Sequence, residues 1–400
     1  MKFCSKSKLF NSLNATINLA VAKVLPAFSS PASTNMYARA VDGGYWQKGL
    51  FGRLFCCKTR WVYLFLGGMF FSLVGLAQDI HLSQFFNTPL LRNPALAGVF
   101  TGDLRLQAVY RNQWQTVGFP YQTNAFSAEY KFGVGGADDY MTLGISMFSD
   151  EAGSVKLKTL QVMPAINFHK SLSGNKSSYL NGGFMAGYVS RQFDGKNLTF
   201  DNQYTGGRFN ASAPTGENFS SLNRSFFDIA LGLSYNSQLG ENGAYYAGVS
   251  LWHFNKPATN FLSDKITLQP KIQFNAGVRT WVAANLELTV EANYLKQGPY
   301  TEAIGGAMVR YDLTQNLNQQ ETAISTFSVG GGAFVRLNDA VIPYVQVSYN
   351  HFDVGLSYDV NTSPLKAASQ GRGGFEMSLT YRAFTKNKGS SVQSMRCPRF

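Results

Sequence analysis

Charged residues are scarce in this sequence, and long hydrophobic runs are few. Only 14% of the 400 residues are charged, while 32 are phenylalanine and 20 are tyrosine, which excludes an intrinsically disordered chain. The mean hydropathy of −0.11 excludes a bundle of transmembrane helices. A β-barrel fits, because its strands alternate apolar with polar residues and so keep the mean hydropathy near zero. An ordinary soluble β protein fits the same composition.

Cysteine and histidine are also scarce, and neither indicates a disulfide framework or a metal centre. Three of the cysteines precede the predicted mature chain, so no disulfide can form within it, and the spacing matches no zinc motif. The histidines show no metal-ligand spacing, and the sequence has neither a Gly-x-Ser-x-Gly elbow nor a phosphate-binding loop. We therefore expect no catalytic residue, no metal and no cofactor. The four cysteines are Cys4, Cys56, Cys57 and Cys397, and the four histidines are His81, His169, His253 and His351.

The positive charge is concentrated at the start of the chain. Residues 1–77 contain nine Lys and Arg residues and one acid, which accounts for +8 of the net +12 and leaves +4 for residues 78–400. The mature chain is therefore only mildly basic, and the charge distribution argues against a nucleic acid as its partner.

A signal peptide is predicted before the mature chain. Lys58 and Arg60 precede the apolar run 61–76, and Ala77-Gln78 forms a small-residue cleavage site. We assign 58–77 to a Sec-type signal peptide. Residues 1–57 form an extension that is either an unusually long n-region or the product of a misassigned translation start. In the second case Met36 is a candidate for the true start. An uncleaved anchor is the alternative, although the run is just short of a comfortable transmembrane helix.

Residues 103–384 alternate apolar and polar residues at period two, which predicts β-strands. In the clearest segment, Phe227 to Tyr235, large apolar residues alternate with Asp, Ala, Gly and Ser. Five clear segments and nine weaker ones show this alternation. Their total of fourteen strands is an even number, as single-chain bacterial barrels require. The other clear segments are 104–111, 126–132, 286–294 and 375–382. The weaker ones are 140–149, 155–168, 179–190, 244–254, 271–282, 301–311, 324–336, 340–349 and 351–360.

Two folds fit this alternation. In a soluble β-sandwich or propeller the apolar face forms a core, whereas in a transmembrane barrel it faces lipid. Aromatic residues near strand ends, such as Trp252 and Trp281, and the export signal favour the barrel. We therefore predict an all-β protein with a transmembrane antiparallel up-and-down β-barrel of about 14 strands at 103–384. A short N-terminal segment at 78–102 precedes it, and a tail at 385–400 follows.

The predicted connections differ in length. Asp138-Asp139, 239–243 and 337–339 have the composition of tight turns. Residues 194–223, 255–270, 313–323 and 361–373 are long, polar and rich in Gly, Asn and Ser. Because bacterial barrels place their long loops outside the cell, we expect these four at the cell surface.

Short motifs stand near both ends of the mature chain. The opening motifs are Ser83-Gln84-Phe85, Asn93-Pro94-Ala95-Leu96-Ala97-Gly98 and Tyr110-Arg111-Asn112-Gln113-Trp114. The closing motifs are Gly355-Leu356-Ser357-Tyr358-Asp359, Gly373-Gly374-Phe375-Glu376-Met377 and Cys397-Pro398-Arg399-Phe400. In this order and spacing they resemble the PorP/SprF family of type IX secretion system membrane proteins, and the resemblance covers essentially all of residues 78–400.

The resemblance implies a Bacteroidota protein embedded in outer-membrane lipid, with type IX machinery subunits and secreted surface proteins as partners. Some members of the family are components of the machinery. Others, often encoded next to a large surface adhesin, help one cargo to be secreted or held at the surface, as in gliding motility. The sequence leaves both roles open.

The signature motifs have competing interpretations. Asn93-Pro94-Ala95 is predicted to lead the N-terminal segment into the first strand, because proline removes a backbone donor and favours a turn; a periplasmic partner contact is the alternative. Alternation sends Arg111 and Gln113 to the lumen and places Tyr110 and Trp114 at the outer interface. Lumen hydrogen bonding and cargo contact are the two roles open to the inward pair.

Charged residues on the polar face are predicted to form a lumen network, because buried charges must be paired. We expect Asp359 to pair with an arginine across the barrel. The same network fits a water-filled pore or the floor of a cavity that receives a peptide. Three functions follow: a secretion-associated partner barrel, a porin-like diffusion channel, and a barrel enzyme that uses a carboxylate such as Glu291. The predicted network is Glu129, Asp228, Glu287, Glu291, Glu376, Arg105, Arg111, Arg310, Arg336 and Arg382.

Overall fold

The protein forms a closed antiparallel β-barrel of 14 strands, which confirms the predicted fold class. The computed structural model describes residues 79–384, apart from 114–117, 119, 136–137, 175–176, 195–197, 215, 217–221, 241, 260–265, 314–326 and 365. The predicted signal peptide, cleavage site and extension at 1–78 and the tail at 385–400 lie outside the described residues. Of the helices in the described part, none is long and apolar enough to cross a membrane.

Each barrel strand pairs with its neighbours in sequence, as in an up-and-down barrel. The strands are β1 (Leu104–Gln113), β2 (Tyr121–Gly133), β3 (Tyr140–Ala152), β4 (Leu157–Ser171), β5 (Ser178–Gln192), β8 (Asn223–Leu239), β9 (Gly243–Trp252), β10 (Lys271–Ala283), β11 (Leu286–Gln297), β12 (Tyr300–Asp312), β13 (Phe327–Arg336), β14 (Ala340–Tyr349), β15 (Phe352–Asn361) and β16 (Arg372–Ala383). A small separate hairpin of β6 (Tyr204–Thr205) and β7 (Arg208–Phe209) lies in the connection from β5 to β8.

The barrel is closed by its first and last strands. β1 pairs with β16 from Leu104 opposite Ala383 to Gln113 opposite Gly374. The opposite edge of β1 pairs with β2 over the same ten residues, so every residue of β1 has a strand partner on both sides. Closure removes the free edges that an open sheet would expose.

The apolar residues of the strands face outward. On β8, Phe227 and Leu233 are 55% and 58% exposed, whereas Asp228 and Ser234 on the alternate face are 0% and 3% exposed. A soluble sandwich or propeller would bury the apolar face instead. The polar inner face and the apolar outer face are those of a barrel that lies in lipid.

Antiparallel strands place successive connections at opposite ends of the barrel. We call the end where β1 begins and β16 ends the terminal end, and the opposite end the loop end. Connections 193–222, 253–270 and 362–371 lie together at the loop end. The prediction that all four long connections share one side is wrong, because 313–323 connects β12 to β13 at the terminal end, and the tight turn 337–339 lies at the loop end. Strand order, which alternates strictly, decides the side, and loop length does not.

Short helices occur before the barrel and within one connection. A 3-10 turn at Phe85–Asn87, the helix α1 (Pro89–Arg92) and a second 3-10 turn at Pro94–Leu96 precede β1. A further 3-10 turn lies at Asp201–Gln203, and the helix α2 (Lys366–Ser369) lies between β15 and β16. Proline begins α1 and the second turn, where its missing N–H leaves no donor unsatisfied.

Candidate functional site

The N-terminal segment lies inside the barrel and extends from one end to the other. We call residues 79–100 the plug. Asp79 contacts His253 and Lys271, which flank the connection between β9 and β10 at the loop end. Phe100, at the other limit of the plug, accepts a hydrogen bond of 2.6 Å at its carbonyl from Lys131 near the terminal end of β2. The interior of the barrel is therefore occupied by the protein's own chain.

The first anchor of the plug is the carboxylate of Glu376 on β16. The backbone N–H groups of Ser83 and Gln84 donate to its two oxygens at 2.8 Å and 2.7 Å. The side chain of Gln84 donates to the backbone carbonyl of Glu376 at 2.9 Å and to the hydroxyl of Ser357 at 3.2 Å. The Ser-Gln motif is thus fixed to β15 and β16 through both backbone and side chain.

Arg111 on β1 joins this anchor to the neighbouring strands. Its guanidinium lies 2.7 Å from Glu376 and 2.8 Å from Asp359, and it donates to the hydroxyl of Ser83. Arg336 lies 3.3 Å from the same Asp359. This carboxylate therefore pairs with arginines, as predicted, but they lie two strands away on either side of β15 and not across the barrel. Removing one member of a buried ion pair leaves an uncompensated charge, at a penalty of about 3–5 kcal/mol.

The second anchor is Asn93, whose side chain forms hydrogen bonds both to the backbone of the plug and to the backbone of the barrel wall. Its side-chain oxygen accepts from the N–H of Ala95 at 2.8 Å and caps the 3-10 turn that follows. Its side-chain nitrogen donates to the carbonyls of Leu233 and Val249 at 3.2 Å each. Asn93-Pro94-Ala95 does form a turn, as predicted, but this turn packs against β5, β8 and β9 inside the barrel before the chain reaches β1.

Three glycines on the barrel wall make room for this turn. A Cβ on Gly183 would lie 2.3 Å from the nitrogen of Ala95, and one on Gly232 would lie 2.0 Å from the side-chain oxygen of Asn93. A Cβ on Gly248 would lie 2.7 Å from the side-chain nitrogen of Asn93. Glycine within a strand often marks the close approach of another backbone, so these three glycines are the signal in the sequence that points to the turn.

Gly98 and Phe100 hold the plug at the terminal end. The N–H of Gly98 donates to Glu129 at 2.8 Å, and Glu129 in turn makes a bidentate pair with Arg105 at 2.8 Å and 2.9 Å. Gly98 has a φ of +81°, and a Cβ there would lie 2.0 Å from the hydroxyl of Thr142, so both backbone and space require glycine. The ring of Phe100 lies 4.3 Å from the Arg105 guanidinium.

Glu291, the carboxylate of the enzymatic alternative, holds the middle of the plug. It lies 3.3 Å from the guanidinium of Arg92 and accepts from the hydroxyl of Tyr246. Tyr246 also accepts from Arg92 at 2.9 Å. Structural contacts to the plug therefore account for this buried carboxylate.

Asp79 and His253 form a charged cluster at the loop end. The two ring nitrogens of His253 lie 2.7 Å from Asp79 and 2.9 Å from Asp228, an arrangement that favours the imidazolium form. Burial alone would lower the pKa of His253, but the two carboxylates raise it above its usual value. Burial alone would raise the pKa of Asp79, but Lys271 and His253 lower it well below the usual range.

All ten members of the predicted lumen network lie on the inner face, each with an ionic partner. Glu287 pairs with Arg310 at 2.8 Å, and Arg382 pairs with Asp353 at 2.5 Å. Within the described residues, no group of His, Cys, Asp or Glu side chains has the arrangement of a metal site.

The remaining motif residues divide between the two faces and the undescribed parts of the chain. Asn112 donates to the hydroxyl of Tyr110 at 3.2 Å near the loop end of β1, next to Gln113, the last residue of the strand. Tyr358 is 40% exposed on the outer face, beside the inward Ser357 and Asp359. Ala77, Gln78, Trp114, Cys397, Pro398, Arg399 and Phe400 lie outside the described residues.

Comparisons with solved structures find other barrels at low identity. The CymD monoaromatic hydrocarbon channel is 11% identical with a TM-score of 0.43, over 78% of this chain and 96% of that one. The toluene transporter TodX of P. putida is 9% identical with a TM-score of 0.44, over 75% and 95%. The translocator domain of the autotransporter NalP from Neisseria meningitidis is 11% identical with a TM-score of 0.34, over 81% and 98%. No curated protein matches the chain.

The comparison with protein families gives a specific result. The family model described as type IX secretion system membrane protein PorP/SprF matches residues 74–381. This range contains the whole plug and all barrel strands up to Tyr381 in β16. The chain therefore belongs to the PorP/SprF family of type IX secretion system membrane proteins.

Proposed function

We propose that the protein is an outer-membrane component or accessory of the type IX secretion system that supports export or surface attachment of cargo proteins such as gliding adhesins. Its family and its barrel with an apolar outer face support the membrane location and the secretion role. The observation that carries the proposal furthest is the plug, because its buried hydrogen bonds to Arg111 on β1, Asp359 on β15 and Glu376 on β16 make it part of the folded barrel. Such a barrel serves as a platform for other proteins.

The test is deletion of the gene from the bacterium that carries it. We expect particular proteins to disappear from the cell surface or the medium, while those exported by other routes remain. Re-expression of the full chain restores them. Unchanged surface and secreted proteomes in the deletion strain would contradict the proposal.

A porin-like channel is the second candidate, favoured by the polar inner face of the barrel. The plug opposes it, since a diffusion pore needs an open lumen. Purified full-length protein is expected to give no steady conductance in planar bilayers. A steady, ohmic conductance from the intact chain would favour the channel instead.

The export route is part of the same proposal. We propose that Sec machinery exports the chain and that signal peptidase cleaves between Ala77 and Gln78. Peptide mass spectrometry of protein isolated from outer membranes is expected to find a mature chain that begins at Gln78. A chain that retains residues 61–76 would identify the apolar run as an anchor.

A further inference from the structure

Strand β8 extends beyond β9 at the loop end, although the barrel as a whole is closed. It pairs with β5 from Asn223 onwards, but with β9 only from Ala230 onwards. Residues 223–229 therefore have a neighbouring strand on one side alone. We call the side of 223–229 that faces away from β5 the free edge. An unpaired strand edge presents backbone N–H and C=O groups with which another strand can pair.

Part of the free edge is covered by the connection that follows β9. The N–H of Phe254 donates to the carbonyl of Ile229 at 3.2 Å, and the side chain of Asn255 donates to the carbonyl of Phe227 at 2.6 Å. The chain then turns away at Lys256, which has a φ of +45°. The described part of this connection therefore covers these two carbonyls and leaves the start of β8 open.

The backbone groups nearer the start of β8 have no such cover. In an antiparallel ladder alternate residues face the same neighbour, so Ser225 and Phe227 face the free edge together with Ile229. Among the described residues, no partner accepts from the N–H of Ser225 or Phe227 or donates to the C=O of Ser225. The apolar outer side chains of β8 end at Phe227, and the polar Ser225 follows. These backbone groups therefore lie at the margin of the apolar band, within reach of a strand outside the lipid.

Two arginines stand opposite each other beside the free edge. Arg224 on β8 is the register partner of Arg191 on β5, and the β-carbons of such a pair are about 5 Å apart. Among the described residues, no carboxylate forms an ion pair with either arginine. The Nε atom of Arg191 is buried without a hydrogen-bond partner, and its guanidinium lies 5.7 Å from the ring of Phe226. Like charges directly opposite each other destabilise a sheet, so a negative charge in this row would be favourable.

Two carboxylates on the same face of the wall are engaged elsewhere. Asp150 lies two strands from Arg191 and accepts from the hydroxyl of Thr123 at 2.6 Å. Asp228, further along the inner face of β8, lies 2.9 Å from His253. Neither carboxylate is within ion-pair distance of the opposed arginines.

A strand added to the free edge would continue the arginine row. Its residue opposite Arg224 would point to the same inner face, with its β-carbon about 5 Å from that of Arg224. The residue two positions along would lie opposite Phe226, because side chains on one face repeat at every second residue. An acidic residue opposite Arg224 and an apolar residue opposite Phe226 would complement this face. A second copy of the chain would instead bring further arginines to the seam, so the charge favours a different protein.

We propose that the free edge of β8 is a docking site for an extended acidic segment of another protein, which binds by strand addition at the loop end. The backbone of the segment pairs with Ser225 and Phe227, and its acidic residue neutralises the row of Arg224 and Arg191. The proposal rests on the proposed secretion role, since it supplies that role with a contact for a partner.

The test uses the purified full chain in detergent and a short fluorescein-labelled peptide of alternating valine and threonine with one central glutamate. A second peptide has glutamine in place of the glutamate, and a third keeps the glutamate but has methylated backbone nitrogens. Fluorescence anisotropy is expected to show about tenfold weaker binding of the glutamine peptide. The methylated peptide is expected not to bind, because it cannot donate hydrogen bonds to a strand.

Variants of the wall separate the contribution of charge from that of the backbone. Arg224→Gln should bind the glutamate peptide about tenfold more weakly and no longer distinguish it from the glutamine peptide. The matched control Arg372→Gln removes an exposed arginine at the start of β16, also at the loop end, and should behave as the native chain. Ser225→Pro removes the free N–H and should abolish binding. Ser225→Ala loses only the hydrogen bond from the Tyr188 hydroxyl and should bind normally.

Heat-dependent mobility in gels verifies that each variant is a folded barrel. Equal affinity for the glutamate and glutamine peptides, or binding of the methylated peptide, would overturn the proposal. An equal loss in Arg224→Gln and Arg372→Gln would also overturn it. A dimer of the purified chain that the glutamate peptide dissociates would assign the free edge to a second copy and overturn it as well.

Failure of this site and failure of the secretion role are distinguishable. If Ser225→Pro does not bind the peptide but restores secretion to the deletion strain, the free edge is not the contact that secretion uses. If deletion of the gene leaves secretion unchanged, the secretion role fails whatever the peptide measurements show.

Discussion

The two halves of the plug are held in the lumen by different physical means. The first half, around Ser83 and Gln84, depends on buried charges: Glu376 accepts from its backbone, and Arg111 neutralises Glu376. The second half, around Asn93-Pro94-Ala95, depends on wall carbonyls and on the space left by Gly183 and Gly232. Removing the charge of Arg111 therefore loosens the first half, whereas adding atoms at these glycines displaces the turn of the second half, in which Arg92 and Gly98 also contact buried carboxylates.

The largest effect is expected from adding atoms under the turn. Gly183→Leu places side-chain atoms where Pro94 and Ala95 lie, so the second half of the plug has to leave its position. We expect the variant to conduct ions in planar bilayers and to become sensitive to protease within residues 93–100. Gly182→Leu is the matched control, because a Cβ there meets nothing within 4 Å. If both variants stay closed, the turn is not held by the steric fit described above.

A slightly smaller effect is expected from removing the central charge of the first half. Arg111→Met leaves Glu376 buried without its arginine and Asp359 with Arg336 alone, which should lower the free energy of unfolding by about 3–5 kcal/mol. Urea unfolding of the purified barrel measures this loss in the free energy of unfolding. Adding Glu376→Gln is expected to restore part of the loss. Arg224→Gln, at an exposed position of β8, should change little; a similar loss there would show a general sensitivity to arginine removal.

A moderate effect is expected for Asn93→Ala. The variant loses the cap on the N–H of Ala95 and the hydrogen bonds to Leu233 and Val249, but it adds no atoms. We expect a loss of about 1–2 kcal/mol in the same unfolding measurement, with the lumen still closed. Conductance comparable to that of Gly183→Leu would show that hydrogen bonds, and not space, hold the second half.

The smallest effect is expected from pH at the first residues of the plug. Because the pKa of His253 is raised, its contribution to docking is complete below the unfolded value near 6.5 and is lost as pH rises through the folded value. Because the pKa of Asp79 is lowered, its contribution is present above the unfolded value near 3.8 and is lost as pH falls through the folded one. Hydrogen exchange at residues 79–83, corrected for the intrinsic effect of pH, should be slowest between the unfolded pKa of Asp79, near 3.8, and the unfolded pKa of His253, near 6.5, where both contributions are complete. His253→Gln should remove the loss on the alkaline side, and an unchanged profile would contradict this assignment.

The sequence predicted the barrel well because alternation at period two is a local signal. It gave fourteen strands and placed Arg111, Glu376 and Asp359 inward, where the structure pairs them. The plug was not predicted, because short turns with no periodicity carry no sign of what they pack against. The wall glycines Gly183, Gly232 and Gly248 mark its position, but an inward glycine in one sequence does not reveal which partner approaches it.

Assembly of the barrel is constrained by where the plug lies. The chain passes through the lumen and then continues into β1, which must pair with β16 at the far end of the sequence. If β1 and β16 paired first, the N-terminus would have to thread through a closed ring. Folding is therefore expected to collect the strands around the plug, with Glu376 binding Ser83 and Gln84 before the last seam forms. The plug is then a template, and closure is the slow, late step that the separation of Leu104 and Ala383 in sequence imposes.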